Sequence, residues 1–341
     1  MTAVPPRGGE RVDAARQRGI RQRFEVITPS AAVSATLPRV ADQLHQPSNR
    51  PGLGTDVVPD ADPDPDPGLV SDPLAPGWVP PPELDTTRAH PARIYEYLLG
   101  GMHYFDVDRE AAETALRHVP QGRAMVQENR AFLARAVRFL AASGVTQFLD
   151  LGSGLPGTGN IGEEARSIVP EARIVFVDND PMVAVHSRAL VAGADPARTA
   201  VVMADIRRPD QVLADPELRR VLDLERPVAV LMGALLHFIA PEEDPYSVVR
   251  GFLGAVPSGS ALVVTHVTDG GHPEQAEAAR KAWDRATSQL YVRSEEEIRA
   301  LFEGLELVEP GLVPRPLWRP DGEVRQDWKE IWGLAGVGFK P

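Results

Sequence analysis

Residues Gln147–Asn160 read QFLDLGSGLPGTGN. Phe148, Leu149 and Leu151 are the apolar residues of a short buried strand, and Gly152, Gly154, Gly157 and Gly159 then crowd into one loop. That order suits a strand running into a turn that opens a helix. Glycine tolerates positive φ and lets a ligand come against bare backbone. Asp150, just before the glycines, is placed to face whatever the loop holds. The stretch marks a nucleotide-type site.

Downstream of it the pattern alternates. Candidate strands are Phe148–Leu151, Ile174–Val177, Ala200–Met203, Val228–Met232 and Ala261–Val264. Helical segments fall between them at Ile161–Val169, Met182–Val191, Pro209–Leu222 and Pro245–Ala255. The alternation predicts a parallel sheet covered by helices on both faces. Ala276–Thr287 and Glu295–Phe302 read as helices, and Leu305–Val308 with Ile331–Val337 as a late strand pair closing the sheet, joined by a Pro-rich loop. Upstream, Ala92–Leu99 reads as a short helix stopped by Gly100–Gly101, followed by a helix for which Asp108 is the expected N-cap. Met125, Phe132, Leu133, Val137 and Leu140 give a further amphipathic helix ending at Ser143–Gly144.

In open α/β sheets the ligand lies beyond the carboxyl ends of the strands. The polar residues of this chain gather at those positions. Asp150 to Gly154 follow the first strand, Asp178 and Asn179 the second and Asp205 the third; Gly233 and His237 follow the fourth, and His266 ends the fifth. Five such placements in order predict one extended ligand across the sheet edge. Asp180, before Pro181, reads as a helix N-cap. Tyr95 and Tyr97 read as core.

Gly152, Gly154 and Gly157 also satisfy G-x-G-x-x-G, the dinucleotide fingerprint, a weak motif by itself. Asp178 serves either reading, since a strand-two carboxylate accepts ribose hydroxyls. Asp150 separates them. A pyrophosphate beside it meets like charge, whereas S-adenosylmethionine offers a sulfonium and an ammonium group. Asp205 then fits as acceptor for an adenine amino group.

Composition narrows the classes. Of 341 residues, 43% are hydrophobic and 25% charged, ordinary for a globular protein. Cysteine is absent, which removes disulfides, thiolate zinc sites and cysteine nucleophiles. The net charge of −12 argues against broad binding of nucleic acid. No apolar run approaches the 18 or so residues of a membrane span. Residues 1–85, proline-rich and carrying ADPDPDPG at Ala61–Gly68, read as a disordered tail.

ARIYEYLLGGMHYFDVDR, NRAFLARAVRFL, QFLDLGSGLPGTGN, VFVDNDPMV and LELVEPGLVPRPLWRPDG together resemble the actinobacterial S-adenosyl methyltransferase family, within the class I S-adenosylmethionine-dependent methyltransferases. The resemblance spans about Thr86 to Pro341, with residues 86–144 as an N-terminal helical cap and 145–341 as the core. It implies a Rossmann-like doubly wound, mostly parallel sheet. It also implies that Asp150, Gly152, Ser153 and Gly154 hold the methionine part of the donor. Asp178 would then hold the ribose, with Asp205 and Ile206 against adenine. The chain departs from the family pattern after the double glycine, at Met102–His103–Tyr104.

The expected reaction is methyl transfer to a small-molecule acceptor, in the cytoplasm, without nucleic acid, membrane or metal. Where the acceptor must lose a proton, His237 is the first candidate base and His103 the second, by location. Apolar neighbours in ALLHFI make a structural histidine the competing reading for His237. A nicotinamide oxidoreductase and a non-catalytic S-adenosylmethionine-binding regulator are the rival functions. Acceptor identity and oligomeric state are not encoded in any motif.

Overall fold

The computed structural model describes residues 84–157 and 160–341. The proline-rich tail expected over residues 1–85 lies almost wholly outside the described residues.

Three helices come first: α1 (Pro91–Leu99), α2 (Asp106–His118) and α3 (Gly122–Ala142). The alternating series follows as β1 (Gln147–Leu151), α4 (Ile161–Ile168), β2 (Arg173–Asp178), α5 (Pro181–Val191), β3 (Thr199–Met203), α6 (Pro209–Ala214), α7 (Pro216–Val221), β4 (Ala229–Gly233), α8 (Pro245–Gly254) and β5 (Ala261–His266). The chain ends with α9 (Pro273–Arg280), α10 (Glu295–Ala300), β6 (Glu306–Leu307), β7 (Val313–Pro314) and β8 (Leu334–Phe339). Strand order is β3-β2-β1-β4-β5-β8-β6, with β7 also paired to β8. β1 to β5 run parallel, and β8 lies antiparallel between β5 and β6. The order reverses between β1 and β4, which is where such sheets open a crevice.

Strand residues alternate between two cores, as the two-residue period requires. Leu149, Leu151, Val175, Val177, Val230, Met232, Leu262 and Val264 face one, with Val249 and Phe252 of α8. Phe148, Ile174, Phe176, Leu231, Val263 and Val337 face the other, with Phe132, Ala136 and Leu140 of α3 and the fully buried Trp318. Burial on both faces accounts for the near-continuous apolar strands.

Four expectations are corrected. Helix α2 begins at Asp106, so Asp108 is its third residue rather than its cap. Its carboxylate reaches back to the amides of Phe105 and His90, both at 2.8 Å. The single helix expected over Pro209–Leu222 is two, because Pro216 drives Asp215 out of helical geometry. Asp215 instead caps α7 at the amides of Glu217 and Leu218. The helix expected from Ala276 starts at Pro273, where a missing N–H costs nothing, and gives way after Arg280 to a tight turn. Val313–Pro314, read as loop, forms β7 against β8.

The cap is fastened to the core by a charge cluster. Arg93 of α1 is 1% exposed; its Nε lies 3.2 Å from Asp180 and its Nη1 3.7 Å from Asp108. Asp180 caps α5 as expected, accepting from the Met182 amide at 2.7 Å, and also meets His90 Nδ1 at 3.0 Å. Arg93→Ala leaves two carboxylates buried without their cation, and such losses run to about 3–5 kcal/mol. Urea unfolding should show a loss of that size. A loss of only a few tenths, the value of a surface pair, would refute the fastening role.

Candidate active site

The crevice opens at the carboxyl ends of β1 to β5 and is roofed by α1 and α3. Its floor is the loop after β1. Gly152 and Gly154 both take positive φ, 67° and 64°. At Gly152 a Cβ would also fall 2.5 Å from a Leu235 methyl, which would have to move to admit it. The amides of Gly152 and Ser153 donate to the Val177 carbonyl at 2.8 and 3.1 Å, tying the loop to β2. Asn160 caps α4 at the amides of Gly162 and Glu163.

Asp178 at the end of β2 completes the loop. One carboxylate oxygen accepts from the Gly154 amide at 2.9 Å, the other from the Asp180 amide at 3.0 Å. Burial nevertheless pushes its pKa up, against the pull of His90 and those two amides. Asp150 is 7% exposed and is pushed up to about 7, first by burial and further by Asp178, with Arg130 opposing. Among the described residues neither acid has a basic side chain in ion-pair contact. Two raised carboxylates therefore face the same crevice, a pairing that favours a cationic ligand.

Asn179, Asp205, Ile206 and Gly233 also line the crevice. Asp205 is already engaged, its carboxylate 2.9 Å from Arg207, which also pairs with Glu243 at 2.8 Å. Burial raises the Asp205 pKa, but the Arg207 contacts outweigh it and the net shift is downward. Gly233 is needed for close packing, since a Cβ there would lie 2.7 Å from Leu133.

His237 lines the crevice and is 4% exposed, and its Nδ1 has no hydrogen-bond partner among the described residues. Burial holds its pKa well below the usual imidazole range, helped by His266, Arg315 and Arg293. His266 is fixed in one neutral form. Its Nδ1 donates to the Val267 carbonyl at 2.8 Å while Nε2 accepts from Arg293 at 2.8 Å, and burial takes its pKa down to about 3. His103 is elsewhere, its ring 4.2 Å from that of His186 at a tilt of 54° and its Nδ1 3.5 Å from Glu96, outside the crevice lining.

Sequence reasoning missed several lining residues: Tyr95, Asn129, Arg130, Trp283 and Arg315. Tyr95, read as core, takes part in a relay. The Ala234 amide donates to Thr265 Oγ1 (2.7 Å), Thr265 to Asn129 Oδ1 (2.6 Å), Asn129 Nδ2 to the Tyr95 hydroxyl (2.9 Å) and Tyr95 to the Val126 carbonyl (3.0 Å). The one available signal was the spacing of Tyr95 and Leu98 on one face of α1. No group of His, Asp and Glu side chains among the described residues is arranged for a metal, and no described helix is long and apolar enough to cross a membrane.

The sheet order and glycine loop are those of a Rossmann-like methyltransferase. Residues 78–341 match the S-adenosyl methyltransferase family, and the chain belongs to it, an enzyme family whose methyl donor is S-adenosylmethionine. Among solved structures, the chain is similar to a candidate methyltransferase of Thermobifida fusca YX, at 44% identity over 76% of this chain and 98% of that one, with a TM-score of 0.71. It is also similar to a DUF574 family protein of Streptomyces avermitilis, at 40% identity over 75% and 99%, with a TM-score of 0.73. No curated protein matches the sequence.

The raised Asp150 has a thermodynamic consequence. Its folded pKa of about 7 exceeds the unfolded value near 3.8. The stability it contributes is therefore complete below the unfolded pKa and is lost as pH rises through about 7. Asp150→Asn removes that loss. Without ligand, the variant should match wild type near pH 4 and exceed it above pH 7, by at most about 4 kcal/mol. Urea unfolding at the two pH values tests this, and equal stabilities at high pH would contradict it.

Proposed function

We propose that the chain transfers the methyl group of S-adenosylmethionine to a small-molecule acceptor by in-line displacement, with the donor in the crevice between the β1 loop and the cap. The observation that carries the reading is the pair of buried acids, Asp150 and Asp178, neither in ion-pair contact with a cationic side chain among the described residues. A cationic donor supplies the positive group that Asp150 lacks, and its ribose hydroxyls can donate to Asp178. A dinucleotide would set its pyrophosphate beside Asp150.

When bound, the donor supplies an electrophilic methyl on a sulfur that leaves as a neutral thioether. The residues do the rest. Gly152, Ser153 and Gly154 with Asp150 receive the amino-acid end, Asp178 the ribose hydroxyls. Asn179, Asp205 and Ile206 border the adenine, Asp205 with its remaining acceptor capacity beside Arg207. Gly233 keeps the floor low beneath α3. His237, held neutral by burial and two nearby arginines, can take a proton at Nδ1 from an acceptor that must lose one. His103, outside the lining, is the weaker candidate. Alignment in a dry site lowers such a barrier by about 7–11 kcal/mol at best, so no protein nucleophile is required. The crevice, of about 230 Å³, lies just below the usual range for ligand sites.

Calorimetry tests the donor assignment. Asp178→Ala should weaken S-adenosylmethionine about a hundredfold or more, as expected for losing two hydrogen bonds to a charged group. His237→Ala should hold the affinity within about twofold while lowering transfer of labelled methyl into a small-molecule extract. Unchanged affinity in the Asp178 variant would end the assignment of that residue. Unchanged transfer in the His237 variant would remove the base.

The acids give binding a pH signature. A cationic donor prefers ionised Asp150, so the wild-type dissociation constant should fall as pH is raised through about 7 and then level off. In Asp150→Asn the titration at that pH should vanish.

A further inference from the structure

The crevice extends beyond its acids. All its lining carboxylates lie at the carboxyl ends of β1 to β3: Asp150 within β1, Asp178 at the end of β2 and Asp205 just after β3. On the side of β4 and β5 the walls are apolar and aromatic, with Tyr95, Leu98, Phe238 and Trp283 among them, and Phe238 stands 5.2 Å from Trp283. Two guanidiniums border this half: that of Arg130, 5.8 Å from the Tyr95 ring and donating to the Leu155 carbonyl at 3.1 Å, and that of Arg315 from the turn after β7.

Arg315 is 4% exposed, its Nη2 donates to the Trp332 carbonyl, and its Nε has no hydrogen-bond partner among the described residues. Burial lowers its pKa to about 10, which leaves it charged at neutral pH. The carboxylate that bears on it, Glu128, is already paired with Arg325 at 3.3 Å. Space for it is built into the backbone. At Gly333, φ 137°, a Cβ would sit 2.7 Å from Arg315 Nη2 and 2.7 Å from the His266 carbonyl.

The other buried arginines are accounted for. Arg93 lies between two carboxylates. Arg293 donates to the carbonyls of Leu236 and Ile239 and to His266, and Arg135 to those of Trp318 and Arg315. Among the described residues Arg315 has neither a counter-ion in ion-pair contact nor a full set of acceptors. A buried charge without compensation is costly, and a chain that needed only bulk there would do better with an apolar residue.

We propose that Arg315 receives an oxyanion of the methyl acceptor, and that the acceptor is therefore a small acid with an apolar or aromatic body lying along the Tyr95, Leu98, Phe238 and Trp283 wall. This rests on reading the crevice as the methyl-transfer site. The crevice is then polarised, acids toward the cationic donor and a cation toward the anionic acceptor. Carboxylate and phosphate share this chemistry, and the guanidinium fork suits both.

The test is calorimetry on the full chain saturated with S-adenosylhomocysteine, titrated with phenylacetate, phenyl phosphate and the neutral phenylacetamide. At least one anion should bind about tenfold or more tightly than the amide, and the tighter anion identifies the oxyanion. Arg315→Met should erase the preference while leaving S-adenosylhomocysteine affinity unchanged, and Arg315→Lys should keep part of it. Equal binding of all three probes, no binding at millimolar concentration, or a preference surviving in Arg315→Met overturns the proposal. If the Met variant does not fold, the wild-type panel decides. Failure of S-adenosylhomocysteine to bind counts against the donor assignment instead, and the three probes on the unliganded chain then decide this one.

Discussion

A guanidinium with almost no exposure to water, held between Asp108 and Asp180, governs the geometry of this molecule. Asp108 locks the start of α2, Asp180 the start of α5, and Arg93 itself belongs to α1. One side chain thus fixes the first two cap helices relative to the β2–α5 junction of the core. Asp178, two residues before Asp180, shares that junction and orders the glycine loop through the Gly154 amide. Cap position and loop geometry are consequently set by one short segment, Asp178–Asp180. Charge burial there is expensive: even beside Arg93 and two amides, Asp108 keeps a pKa raised by burial, so the cluster serves placement more than net stability.

The crevice follows the opposite rule. Asp150 and Arg315 are buried with their charge needs unmet, and each shows it by a displaced pKa, up for the acid and down for the base. Preorganised, unsatisfied polarity of this kind lowers the stability of the empty protein and is recovered on binding, the usual compromise between stability and function. Protons are part of the exchange. An acid titrating near neutrality in the empty state and ionised against a cation must release a proton as the donor enters. The neutral histidines fit the same scheme, since a protonated His237 or His266 would add charge beside Arg293 and Arg315.

How much of this could be read from the chain depends on how local the cause is. The glycine loop, the strand-end acids and the Asp180 cap are set by residues within a few positions, so they were legible. The helix break at Pro216 and the helix start at Pro273 do not show in apolar periodicity, though the proline rules contain both. Asp108 was taken for a cap because Asp at a helix start usually is one; its actual partners, Phe105 and His90, include one 18 residues away. Arg315 was invisible for a stronger reason. It reaches the crevice only because β8 inserts antiparallel between β5 and β6 and carries β7 with it. Its carbonyl holds Arg135, 180 residues earlier, and no sequence period records a contact of that range.

The relay from Ala234 to Val126 supplies the second attachment of cap to core, and its direction is fixed. Thr265 and Tyr95 each accept one hydrogen bond and donate one, so neither hydroxyl can turn without breaking two contacts. Ala234 sits at φ 53°, a conformation unfavourable for a residue with a Cβ, and the Thr265 bond to its amide helps hold it there. Strain at the end of β4 is thereby balanced by a chain of bonds ending on α3. Arg93 anchors the outer edge of the roof, and the relay anchors its inner face. A roof held at both points keeps the apolar wall and the Arg315 guanidinium in a fixed relation to the acids across the crevice. That fixed relation is what an alignment-driven reaction demands, because misplacement by about 1 Å can forfeit a hundredfold in rate.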